Sequence, residues 1–109
     1  MKQYALALDL NEDPALIEEY EQIHTSIWPE IRASIVESGI VGMEIFRTGN
    51  RLFMLMTTLD DFSFENKSAM DISNSKVQEW EQMLWKFQKP IPGATPGEKW
   101  ILMNRIFQL

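Results

Sequence analysis

The sequence contains no cysteine and a single histidine among its 109 residues. The absence of cysteine excludes disulfides, thiolate metal sites, iron–sulfur clusters and cysteine nucleophiles. One histidine argues against a catalytic zinc site, since such sites usually take two or three imidazoles. Chemistry that needs a reactive sulfur or a histidine-rich metal centre is therefore not expected.

Basic residues are also few: ten Lys and Arg stand against sixteen Asp and Glu, for a formal net charge of −6. Nucleic acids and anionic membranes are bound through clusters of Lys and Arg, so we expect neither as a partner. No apolar run approaches the ~20 residues that span a bilayer, and the first run is cut by Asp9, unlike a signal peptide. The expectation is a soluble cytoplasmic protein with one domain, residues 1–109.

The first third of the chain predicts a strand followed by an amphipathic helix. Residues 4–10 alternate as in a strand with one buried face. Asp13 is a suitable N-cap, and Pro14 suits the first helical turn. Pro29 falls inside the helical pattern, so we expect a kink or a helix restart there. The apolar stripe of this helix comprises Ile17, Tyr20, His24, Ile27, Ile31 and Ile35.

The remaining pattern completes a βαββαβ order. Strands at about 40–47 and 51–59 flank a turn at residues 48–50 and predict a hairpin. A short acidic segment then leads into a second helix, and a Pro- and Gly-rich loop follows at 89–99. The apolar run 100–107 predicts a final strand covered on both sides. This order is typical of a ferredoxin-like α+β sandwich, with two helices on one face of a four-stranded antiparallel sheet. The second helix presents the stripe Val77, Trp80, Leu84 and Phe87.

The helix-free face of that sheet is expected to be apolar. Strands 51–59 and 100–107 carry aromatic, Leu and Met residues on both faces. A patch of this kind is too large to leave in water, so we predict a homodimer through the sheet faces, a dimeric α+β barrel.

Candidate functional groups concentrate on the first helix and at its break. Tyr20 and His24 are four residues apart, so their side chains can address one small molecule together. Trp28 continues the row, and Glu30 follows it either at the site or as a cap of the restarted helix. Histidine can both give and take a proton near neutral pH, so His24 could act as a general acid or base. The competing interpretation is that a Tyr and a His on a buried stripe are ordinary core residues.

The string "EEYEQIHTSIWPEI", together with "ALALDLNED", Gly39, "VQEW" and the closing "NRIFQL", resembles the L-rhamnose mutarotases over nearly the whole chain. The Tyr-x3-His-x3-Trp-Pro-Glu part is the specific signature. The resemblance implies a small cytoplasmic homodimer of ferredoxin-like subunits. It also implies an enzyme that interconverts the α and β anomers of a 6-deoxy sugar without metal or cofactor.

The resemblance also implies roles for individual residues. His24 matches the family's proton donor, Tyr20 its sugar-binding tyrosine, and Trp80 the first of two tryptophans on the second helix. Two substrate-facing positions depart from the family, because Met43 stands where the rhamnose enzymes have a tyrosine and Glu81 where they have the second tryptophan. The preferred sugar is therefore open between L-rhamnose, L-fucose and another 6-deoxyhexose. Trp28 or Trp80 could lie against the C–H face of the sugar.

Three other functions remain alternatives at this point. A cofactorless or haem-using monooxygenase could use the same dimeric barrel and a helical histidine, because fold does not decide function. A non-catalytic sugar sensor could use the same pocket. A purely structural dimerisation module would need that pocket to be absent or filled.

Overall fold

The computed structural model describes all of residues 1–109 and has an α+β architecture. The elements are β1 (Lys2–Leu10), α1 (Pro14–Ile23), α2 (Pro29–Glu37), β2 (Ile40–Thr48), β3 (Arg51–Thr58), α3 (Phe64–Ile72), α4 (Ser75–Leu84), β4 (Gln88–Lys89) and β5 (Ile101–Leu102). All strand pairs are antiparallel, in the order β2-β3-β1-β4, and β5 also pairs with β1. The predicted fold class, an α+β fold with an antiparallel sheet, is confirmed. No helix is both long enough and apolar enough to cross a membrane.

The first helical region is divided as its prolines predict. Asp13 caps α1 by accepting a hydrogen bond from the Ala15 N–H at 2.9 Å, with Pro14 in the first turn. The helix ends at Ile23, and Pro29 opens α2 rather than bending a continuous helix. The expected restart is confirmed, and His24 is left as the C-cap residue of α1.

One face of the sheet is covered by the helices. Alternate residues of β1 and β3, such as Leu8 and Leu52, point to this side and are almost fully buried. They join α1 and α4 in a core that includes Leu10, Tyr20, Ile31, Leu52, Val77, Trp80, Leu84 and Phe87. The hairpin turn lies where it was predicted, and Gly49 supplies a positive φ of 57° that other residues adopt only with strain.

The last third of the chain differs from the sequence prediction in two ways. The segment expected to lead into the second helix forms a helix of its own, α3, capped by Ser63. The fourth strand position is shared by two two-residue strands, β4 opposite Asp9 and Leu10 and β5 opposite Leu6 and Ala7, since the Pro-rich loop interrupts pairing between them.

The predicted strand at 100–107 is wrong beyond residue 102. Residues 103–109 have no regular structure, and Ile106 and Phe107 are 97% and 76% exposed. Their apolar character suggested burial on both sides, but within one chain nothing packs on them. The last backbone bond to the sheet runs from the Met103 N–H to the Ala5 carbonyl at 2.8 Å.

Candidate active site

The site is built around the end of α1. Carbonyl groups in the last turn of a helix are open to capping by side chains. The Tyr20 carbonyl in this turn accepts from the His24 backbone N–H at 3.3 Å and also lies 2.8 Å from the His24 Nδ1. The imidazole therefore serves as a side-chain cap of its own helix. Because Nδ1 must carry hydrogen to donate to a carbonyl, Nε2 is the nitrogen left to exchange protons with a ligand.

Aromatic rings surround this imidazole. The Tyr20 ring lies 4.2 Å from the His24 ring, measured between centroids, and the Trp80 ring lies 5.8 Å away. Trp28 packs edge-on against Trp80 at 5.1 Å. Four of the residues predicted from the sequence, on α1, α4 and the loop before α2, are thus in one cluster.

A cavity of about 450 Å³ reaches this cluster between α1 and the β2–β3 hairpin. Its volume is within the range of small-molecule sites, roughly 300–1,000 Å³. The lining residues are Tyr20, Glu21, His24, Thr25, Ile45, Phe46, Arg47 and Leu52. The imidazole is therefore not sealed in hydrocarbon, which the interpretation as an ordinary core histidine would require.

The buried setting shifts both titratable groups of the pair toward their neutral forms. Burial lowers the pKa of His24 below its ordinary value of 6.5, an effect larger than the opposing hydrogen bond with Tyr20. Burial also raises the pKa of Tyr20 to about 12, with the Gln88 carboxamide lowering it and the Glu81 charge raising it to smaller extents. At neutral pH the site presents a neutral imidazole and a protonated phenol.

Five residues considered in the sequence do not line this cavity: Trp28, Trp80, Met43, Glu81 and Glu30. Trp80 is 5% exposed in the core, and Trp28 packs against it. Met43 is partly buried on β2 and packs on a second apolar cluster with Met54 and Met56. Glu81 is held by Lys99, whose Nζ lies 2.5 Å from Glu81 Oε2. Glu30 is exposed in the first turn of α2, where a carboxylate is favoured by the helix dipole. The roles of Met43 and Glu81 toward a sugar stay predictions.

Sequence reasoning missed the opposite wall of the cavity. Glu21 and Arg47 line it and form an ion pair between Arg47 Nε and Glu21 Oε1. Glu21 is one of sixteen acidic residues in the sequence, and only the register of β2 brings Arg47 to α1. A helix–strand contact of this kind has no periodic signal in the sequence.

Together, the fold and the site define an α+β protein with a histidine that lines a cavity of small-molecule size. A family model described as L-rhamnose mutarotase matches residues 3–109. The chain belongs to the L-rhamnose mutarotase family, isomerases that act on sugar anomers.

Individual relatives include proteins named for two sugars. An L-fucose mutarotase of Xanthomonas campestris pv. campestris is 46% identical, over 100% of this chain and 89% of its own length. An L-rhamnose mutarotase of Acidiphilium cryptum is 27% identical, over 100% of this chain and 99% of its own.

Two solved structures share the fold. The L-rhamnose mutarotase of Formosa agariphila superposes with a TM-score of 0.73 at 20% identity, covering 100% of this chain and 99% of that one. The tetracenomycin F2 cyclase of Streptomyces glaucescens gives a TM-score of 0.63 at 16% identity, covering 100% of this chain and 97% of that one. At such identities these likenesses establish the architecture alone.

Proposed function

We propose that this protein, acting as one domain over residues 1–109, interconverts the α and β anomers of a 6-deoxyhexose, with L-fucose preferred over L-rhamnose. The observation that carries the proposal is the His24 imidazole, bonded through Nδ1 to the Tyr20 carbonyl and open to the cavity. The preference for L-fucose is supported by the 46% identity to an L-fucose mutarotase, against 27% to an L-rhamnose mutarotase. The departures at Met43 and Glu81 agree with a sugar other than L-rhamnose.

The reaction needs only proton transfers. In the opening direction, neutral His24 accepts the proton of the anomeric hydroxyl at Nε2, the anomeric oxygen forms a carbonyl, and the bond from C1 to the ring oxygen breaks. The imidazolium then gives a proton to the ring oxygen. Rotation about the C1–C2 bond followed by the reverse transfers closes the ring with the other configuration. A general acid–base group contributes typically ~10²–10⁴-fold, and the lowered pKa of His24 keeps its accepting form in the majority at neutral pH.

Tyr20 acts in this scheme as a hydrogen-bond donor to the sugar. Its pKa of about 12 keeps the phenol protonated throughout the physiological range, so it is not a base. Trp80 and Trp28 pack beside the imidazole without lining the cavity, so they would meet the C–H face of a pyranose only if the occupied site extends beyond it. Met43 and Glu81 would contact the sugar only if the occupied site extends beyond the cavity around His24.

The partner we propose is a second copy of the chain, packed through the helix-free sheet face. Phe46 and Phe53 lie side by side on that face with ring centroids 6.0 Å apart, and they are 53% and 36% exposed. Charged replacements at both positions should shift the protein from dimer to monomer in analytical ultracentrifugation. A wild-type protein that sediments as a monomer at every concentration would contradict this part of the proposal.

The substrate proposal is tested by saturation transfer between the anomeric proton signals of L-fucose and L-rhamnose, with and without protein. We expect faster exchange for both sugars and the larger acceleration for L-fucose. A larger acceleration for L-rhamnose would reverse the proposed preference, and no acceleration of any 6-deoxyhexose would overturn the activity.

A further inference from the structure

We infer that the Glu21–Arg47 ion pair is the specificity-determining element of this site, binding vicinal hydroxyl groups of the sugar. The inference rests on the proposed function and adds to it the groups that distinguish one 6-deoxyhexose from another. Glu21 follows Tyr20 on α1, and Arg47 lies on β2. Both line the cavity that also contains Tyr20 and His24.

The two side chains are the charged members of the cavity wall. Beside them, the lining consists of Tyr20, His24, Thr25 and three apolar residues, Ile45, Phe46 and Leu52. A sugar ring that places its anomeric carbon at His24 extends several ångströms further. Its remaining hydroxyls then need polar partners on the far wall, and the ion pair provides both a strong acceptor and a strong donor there.

The pair keeps free hydrogen-bonding atoms. Arg47 donates from Nε to Glu21 Oε1 and from Nη1 to the Gly49 carbonyl at 2.7 Å. Arg47 Nη2 and Glu21 Oε2 make no hydrogen bond within the chain. An adjacent donor and acceptor match a vicinal diol, in which one hydroxyl accepts from a guanidinium and its neighbour donates to a carboxylate.

A purely structural role explains the arrangement less well. The Arg47 and Glu21 side chains are 36% and 53% exposed, and an ion pair at such exposure contributes only about 0–1 kcal/mol to stability. A role of the ion pair in setting the pKa of His24 is also not supported, because that pKa is governed by burial and by the hydrogen bond with Tyr20 rather than by these charges. Contact with a ligand therefore explains the position of the ion pair best.

The chemistry of the two sugars supports selection by this pair. L-fucose and L-rhamnose have the same reacting carbon and the same methyl group, and they differ in hydroxyl configuration at C2 and C4. Groups that act only at the anomeric centre cannot distinguish them. An acceptor and a donor held in fixed relation by a hydrogen-bonded ion pair can distinguish them, because the epimer whose hydroxyls do not meet these groups loses their charged hydrogen bonds.

The test uses Glu21→Gln, Arg47→Met and the charge-conserving Arg47→Lys, with Glu19→Gln as matched control. Glu19 is also on α1 and also pairs with a distant cation, Lys86 at 3.5 Å, but it does not line the cavity. For each protein, kcat and KM for L-fucose and L-rhamnose come from anomeric exchange spectroscopy. Dissociation constants for both sugars come separately from tryptophan fluorescence.

We expect Glu21→Gln and Arg47→Met to raise KM and Kd for the preferred sugar about tenfold or more, with kcat changed less than threefold and selectivity between the sugars reduced. Arg47→Lys should keep the fold and still lose selectivity, since a lysine lacks the planar fork. Glu19→Gln should behave as wild type. Unchanged Kd and selectivity in all three cavity variants, or equal losses in the control, would overturn the inference.

Binding and turnover separate this inference from the proposed function. A wild-type protein that binds the sugars without accelerating exchange refutes the mutarotase proposal. The inference would still stand if Glu21→Gln then weakens that binding. A wild-type protein that binds neither sugar overturns the inference as well.

Discussion

Tyr20 provides a quantitative test of the burial that keeps its phenol protonated. The residue is 3% exposed, and burial raises its pKa to about 12 from an ordinary value of 10. In the unfolded chain the phenol ionises near pH 10, whereas in the folded protein it keeps its proton. The unfolded state therefore binds fewer protons at alkaline pH, and folding stability falls as pH rises above about 10.

The size of this loss follows from the two pKa values. Linkage gives about 1 kcal/mol less stability at pH 11 than at pH 8, and up to about 3 kcal/mol above both pKa values. Tyr20→Phe removes the ionisable group while keeping the ring. The stability difference between wild type and Tyr20→Phe should therefore shift in favour of the variant by these amounts as pH rises.

Urea unfolding followed by fluorescence of the four tryptophans gives the free energy of unfolding at each pH. Effects of Lys and other groups cancel in the difference between the two proteins. Tyr4 is the only other tyrosine, so in a Tyr4→Phe background the ultraviolet absorbance of tyrosinate follows Tyr20 alone. Parallel stability curves from pH 8 to 11, or ionisation of Tyr20 near pH 10 in the folded protein, would refute the reasoning.

Three further predictions follow from the same site. After subtraction of the spontaneous reaction, the catalysed exchange rate should be constant at pH values above the lowered pKa of His24 and decrease at pH values below it, because only the neutral imidazole accepts the anomeric proton. A rate that rises with acidity would contradict this order of transfer. Trp80→Ala should lower the free energy of unfolding by about 3–5 kcal/mol in urea titrations, since Trp80 is 5% exposed in the core. A loss below about 1 kcal/mol would contradict its packing role. Gln88→Met should change the free energy of unfolding by less than about 1 kcal/mol, because losing the Gln88 contact with the Tyr20 hydroxyl offsets the removal of the buried Gln88 Oε1, which has no hydrogen-bond partner. A clear loss in the same titrations would mean that this oxygen is paired.

Much of the fold could be predicted because its signals are local. The alternation in β1 and the positions of Asp13, Pro14, Pro29 and Gly49 each determine a strand, cap or turn through the conformation of a few residues. Two-residue strands such as β4 and β5 have no period to recognise. Their existence depends on where the loop between them lets the chain return to β1.

The residues of the candidate site likewise include some that local spacing predicts and others that it does not. Tyr20 and His24 are one helical turn apart, so spacing alone could place them together. Trp80 joined them through the resemblance and through its apolar stripe on α4. Arg47 reaches Glu21 from a different strand, 26 residues further along the chain, and no local pattern encodes that contact.

The proton-shuttling role of His24 is tested most directly by the anomeric exchange rate of L-fucose with wild-type protein and with His24→Gln. The variant keeps a side chain able to cap the Tyr20 carbonyl but cannot accept and return a proton. We predict a folded variant that binds L-fucose within a fewfold of wild type and loses roughly 10²-fold or more of the catalysed exchange. Exchange at the wild-type rate in a folded His24→Gln protein would contradict the account.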